Sequence, residues 1–138
     1  MKKLFPNETI FETKYWKVQQ DREIAIPGFF IAGLKREIRS LEEITDPEAK
    51  ELGVMLRTVR KAMTSVLGIK TVYFFQQEDT KYGFHIWMLP YYPWMKRFGK
   101  GPNIFEKVWD YAHKNFDIPK KIRETKDAAR KVKGYLQN

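Results

Sequence analysis

The sequence predicts an α+β fold, an antiparallel sheet of about five strands with one long helix packed on it and further helices at the C-terminal end. Three observations predict it. Runs rich in β-branched and aromatic residues, separated by glycine, proline and polar turns, recur as far as Pro90. The stretch from Pro47 to Leu67 keeps apolar residues three and four apart, which is the spacing of one helix face. Beyond Gly99-Lys100-Gly101-Pro102 the apolar period stays helical.

The first strands fall in residues 9–21, where Ile10, Phe11, Tyr15, Trp16 and Val18 surround the polar break Glu12-Thr13-Lys14, the pattern of a hairpin. Asp21-Arg22-Glu23 opens a polar connection punctuated by Pro27-Gly28, and Phe29 to Leu34 forms a third, mostly buried strand ending in the basic run Lys35 to Arg39. Thr45-Asp46-Pro47-Glu48 is a helix start: Thr45 caps free amides, Pro47 suits the first turn and Glu48 completes a capping box. Leu52, Met55, Leu56, Val59, Ala62, Met63, Val66 and Leu67 then form one stripe, Gly68 stops the helix, and Lys50, Arg57, Arg60 and Lys61 take the outer face. Thr71 to Phe75 opens a fourth strand, and the loop 76–81 returns the chain as a fifth over 82–90. A second helix carries Ile104, Phe105, Val108, Trp109, Ala112 and Phe116, with His113 beside the stripe. A third starts at Pro119 with Ile122, Ala129, Val132 and Leu136 inward and seven Lys or Arg side chains outward.

The 138 residues suit a single domain over 1–138, with the basic helical part at about 101–138 as its C-terminal extension. With 43% hydrophobic residues the chain can build a core although 31% of it is charged. There is no cysteine, which removes disulfides and thiolate metal sites and suits a cytoplasmic setting. No run approaches the ~18 apolar residues of a membrane span, and the N-terminus lacks a signal-peptide pattern, so no membrane partner is expected. The net charge of +9 favours anionic partners: nucleotides, polyphosphates, RNA or acidic headgroups.

Metal chemistry has no support, because His85 and His113 fall on separate elements and no zinc-helix spacing occurs. A phosphate-binding glycine loop and a nucleophile elbow are also missing from the sequence. What stands out is the fifth strand, Tyr82-Gly83-Phe84-His85-Ile86-Trp87-Met88-Leu89-Pro90. Alternation sends Phe84, Ile86 and Met88 to one face and Gly83, His85 and Trp87 to the other. His85 is either a packed histidine or a nucleophile.

Phe84 to Pro90 resembles the motif of the histidine triad (HIT) family, in which three histidines alternate with apolar residues. Aligned on Pro90, the central histidine falls on His85, the first on Gly83 and the third on Trp87; a fourth family histidine falls on Glu37. The likeness extends upstream through Ile10-Phe11-Glu12, Asp21 and Pro27 with Phe30-Ile31, and covers about residue 9 to about 94.

The resemblance implies a HIT-like antiparallel sheet and a nucleotide hydrolase or nucleotidyl transferase acting on phosphoanhydride or phosphoramidate bonds, with dinucleotide polyphosphates as a substrate class. It makes His85 the nucleophile that attacks the α-phosphorus. Asp21 then accepts from ribose hydroxyls, Ile10 or Phe11 walls the base pocket, and Gln77 binds near the phosphate. Thr80, Lys81, Lys35, Arg36 and Arg39 lie close in sequence to that site, and Trp87 can stack a base. No cofactor or metal is implied, and a homodimer is, through the long helix or a sheet edge. The alternative is a HIT fold that has lost its triad and binds a nucleotide or RNA without turnover, through the basic third helix and exposed aromatics.

Overall fold

A computed structural model describes residues 2–137 of the chain. Five strands, β1 (Thr9–Glu12), β2 (Trp16–Gln20), β3 (Phe30–Leu34), β4 (Val72–Gln77) and β5 (His85–Pro90), form one sheet in the order β1-β2-β3-β5-β4, every pair antiparallel. Helix α1 (Asp46–Leu67) crosses between β3 and β4, and α2 (Phe105–Asn115) and α3 (Pro119–Leu136) follow the sheet.

The strand registers sort the side chains into two faces. Phe11, Val18, Ala32 and Ile86 are successive partners across the sheet, as are Gln20, Phe30 and Met88. These rows face α1 and α3, and apart from Gln20 they join Met55, Val59, Ala62, Met63, Ala129 and Val132 in the main core. The other face carries Lys17, Gly33, His85 and Gln77 in one row and Gln19, Ile31, Trp87 and Phe75 in the next. A second core covers only its far end, where α2 and the preceding turns pack Met95, Ile104, Val108 and Ala112 on Leu89, Phe29 and Phe5. The His85 end of that face therefore stays open.

Helix α1 follows its local signals. Thr45 Oγ1 accepts from the Glu48 amide while the Glu48 carboxylate accepts from the Thr45 amide at 2.8 Å, and Gly68 closes the helix with φ of +68°. Arg36 also grips Glu48 through two bonds of 2.8 Å and holds that carboxyl at about 2, well below its ordinary 4.5.

Two expectations are corrected. Strand β5 begins at His85 and not at Tyr82, because Gly83 adopts φ of +80° and the Phe84 amide donates to the Ile38 carbonyl at 3.0 Å instead of joining the ladder. The connection that opens on Asp21-Arg22-Glu23 is also polar only at that end. Ile24, Ala25 and Ile26 are buried in the second core, and the Gln20 amide donates to the carbonyls of Ile24 and Ile26.

Candidate functional site

His85 opens β5 on the uncovered face, half-buried, paired with Gly33 on one side and Gln77 on the other. Gly33 is what makes room for it. A Cβ at that position would lie 3.0 Å from His85 Cδ2 and 3.4 Å from Nε2, so the imidazole lies over a backbone without a side chain. Nδ1 is buried and lacks a hydrogen bond of good geometry among the described residues, which leaves Nε2, on the Gly33 side, as the ring nitrogen open to a ligand. Burial holds the imidazole pKa below its ordinary 6.5; the Gly83 backbone opposes that shift, and the charge of Arg22 adds to it. That shift favours the uncharged ring, which keeps a lone pair on one of its nitrogens.

Two hollows meet at this ring, sharing His85, Gln19, Arg22 and Ile31. The first, of about 290 Å³, is walled by Trp87, Trp109, Tyr82 and Ile31, with Asp21, Glu23 and Lys3 at its margin. Trp109 arrives from α2, and the Trp87 ring lies 6.0 Å from the imidazole between centroids. The second, of about 490 Å³, runs across β3 and β2 between Lys17, Arg22, Lys35 and Glu12. Lys35 pairs with Glu12 at 3.5 Å, while Lys17 and Arg22 make no ion pair or side-chain hydrogen bond among the described residues.

Asp21 is buried at the start of the 21–29 connection, and its Oδ1 accepts from the amides of Glu23 and Ile24, each at 2.9 Å. Burial pushes its carboxyl up to about 7 against those two bonds. It thus shapes the turn that floors the hollow as well as lining it.

No family model and no curated protein matches the sequence. Solved structures do match the fold. A zinc-bound histidine triad family protein from Mycobacterium smegmatis superposes with a TM-score of 0.66 at 12% identity, over 96% of this chain and 85% of that one. Plasmodium falciparum diadenosine triphosphate hydrolase, solved with cyclomarin A, gives 0.66 at 12% identity over 94% and 76%. A hypothetical histidine triad nucleotide-binding protein from Sulfolobus tokodaii gives 0.65 at 13% identity over 94% and 85%. The chain has the histidine triad fold.

Within the histidine triad fold, His85, Trp87 and Asp21 come together in one hollow, and Gln77 lies beside His85 in register with an exposed side chain. Ile10 and Phe11 do not join them: both pack into the main core on the opposite face. Thr80 bonds within the β4–β5 loop and receives Arg39 through its carbonyl, Lys81 lies over the Tyr82 ring, and neither lines a hollow that holds His85. Arg36 is committed to Glu48, and Glu37 is exposed on the turn after β3.

The position aligned with the first triad histidine is closed to side chains. Gly83 is buried with φ of +80°, and a Cβ there would meet the Ile38 carbonyl oxygen at 3.0 Å. The residues that sequence reasoning missed are Gly33, Lys17, Gln19, Arg22, Tyr82 and Trp109. Lys17 and Gln19 were findable from the two-residue alternation of β2 once its other face was assigned to the core. Trp109 carried no such signal, because only the packing of α2 brings it to the site.

Proposed function

We propose that the chain acts as a nucleotide hydrolase or nucleotidyl transferase with His85 as nucleophile. The observation that carries this reading is the position of Nε2, at the junction of an aromatic hollow with a basic one. Trp87, Trp109 and Tyr82 offer flat apolar surface for a base, Asp21 a carboxyl for a ribose, and Arg22 a fixed charge beside the imidazole. Solved structures that share the fold include a diadenosine triphosphate hydrolase and a hypothetical histidine triad nucleotide-binding protein, which suits such a ligand.

The chemistry runs in two displacements. The Nε2 lone pair bonds to the α-phosphorus while the bond from phosphorus to the leaving oxygen breaks and its electron pair departs with that oxygen. Water then attacks the phosphorus, the N–P pair returns to Nε2, and the surplus proton passes to solvent. A phosphate or nucleotide leaves as an anion and needs no proton from the protein, whereas the amine of a phosphoramidate does. Gly83 and Trp87 supply none, so phosphoanhydrides are the better substrates.

The reading is tested by incubating the protein with a panel of adenine and guanine nucleotides and dinucleotide polyphosphates. Turnover is expected from the wild type, and loss of about 10³-fold or more from His85→Ala, which removes the nucleophile while binding persists.

A second reading, binding of a nucleotide or RNA without turnover, draws on the closed Gly83 position and on the exposed cations of α3, among them Arg123, Arg130, Lys131 and Lys133. Panel turnover that depends on His85 excludes it. In this reading residues 1–138 are one domain that works in the cytoplasm as a homodimer. The dimer has support in β4, an edge strand whose Phe74 is 46% exposed.

A further inference from the structure

We infer that the hollow beyond Gly33 is a subsite for a linear polyphosphate chain, held by Lys17 and Lys35 with Arg22 at its mouth. Its role in placing a substrate rests on the reading of His85 as nucleophile; its anion binding does not.

Three cations and one carboxylate, Glu12, line this hollow, and two of the cations have no partner among the described residues. Their placement follows from the backbone. Lys17 pairs in register with Gly33, which pairs with His85, so the lysine stem rises from the same face as the imidazole, separated from it by a strand without a side chain. Absence of a Cβ at Gly33 leaves open the path from Nε2 to Lys17. The Lys35–Glu12 pair is exposed, with its nitrogen and oxygen 3.5 Å apart, and a surface pair of this kind reorganises at little cost when a multiply charged anion arrives. The other hollow at His85 is walled by aromatics and sets two carboxyls, Asp21 and Glu23, against two cations, Lys3 and Arg22, so the larger excess of positive charge lies on the Gly33 side of the ring.

A ligand with several linked phosphates fits better than a single one. Lys17, Arg22 and Lys35 stand on different strands or turns around the hollow, and an ammonium offers a point charge without the forked geometry that grips one phosphate. Affinity is therefore expected to rise with the number of phosphates.

Calorimetric titration with inorganic phosphate, pyrophosphate and tripolyphosphate at fixed ionic strength tests the subsite. The expected result is tighter binding at each added phosphate, with on the order of tenfold weaker tripolyphosphate binding in Lys17→Gln/Lys35→Gln. Lys50→Gln/Lys61→Gln removes the same charge from α1, on the far side of the sheet, and is expected to change affinity less than twofold. Equal loss in both double variants, or no gain from phosphate to tripolyphosphate, overturns the proposal, since net charge would then explain all binding. Thermal melts confirm that each variant is folded. A wild type that binds tripolyphosphate by chain length yet turns over no nucleotide overturns the reading of His85 and leaves the subsite standing. Turnover that His85→Ala abolishes and Lys17→Gln/Lys35→Gln leaves equal for di- and triphosphate-linked substrates overturns the subsite alone.

Discussion

Two glycines decide what His85 can do. Gly33 gives the imidazole its seat, and an alanine there puts a methyl group 3.0 Å from Cδ2, with no backbone strain because the residue keeps ordinary strand φ. The ring must tilt, so Gly33→Ala is expected to lose about tenfold or more in turnover while unfolding changes by less than about 1 kcal/mol. Gly83 behaves in the opposite way. Its φ of +80° and the Ile38 carbonyl at 3.0 Å from a would-be Cβ make Gly83→His destabilising by roughly 2 kcal/mol or more, with no gain in turnover. Comparing the two variants by urea unfolding and steady-state rates separates a seat for the nucleophile from a fixed turn. Sequence alone gave His85 and Trp87 a shared face, which strand alternation suffices to show. That Gly83 has no place for a histidine depends on the approach of a chain more than forty residues away, and no local pattern carries it.

Among the elements, α1 was readable to its ends, because capping box, proline and terminal glycine lie within one turn of its boundaries and the apolar stripe runs between them. The 21–29 connection opens on polar residues, but in the fold Asp21 turns inward to bond the backbone while Arg22 stays exposed, and the apolar residues that follow are buried. Asp21 is the test of that element. An unfolded chain loses the Asp21 proton near 3.8, and the folded one keeps it to about 7. The folded state thus binds more protons between those values. The Asp21 contribution to stability is full below about pH 3.8 and is lost as pH rises to about 7, on the order of 4 kcal/mol in all. Asp21→Asn keeps an oxygen for the Glu23 and Ile24 amides and removes the titration. Denaturant midpoints at pH 5 and pH 8 should therefore differ less in the variant than in the wild type, and an unchanged difference would assign the pH dependence to other groups.

At the scale of the molecule, the sheet is covered on one face by α1 and α3 and on only part of the other by α2, and the open remainder is where both hollows lie. The α+β architecture was legible because each strand and helix carries its own period. The site was legible only along β5 and at Asp21, since Trp109, Lys17 and Arg22 reach it through tertiary packing. The free edge of β4 sets one further expectation: sedimentation equilibrium should give twice the 16.5 kDa chain mass, and Phe74→Glu should give the single chain. The central claim is that Nε2 of His85 bonds to phosphorus. Mass spectrometry of the acid-free quenched protein after incubation with the nucleotide panel tests it most directly. A nucleotidyl mass increment is expected on the peptide holding His85, absent from His85→Ala. An unmodified His85 under every nucleotide, with products released at the same rate by His85→Ala, would contradict it.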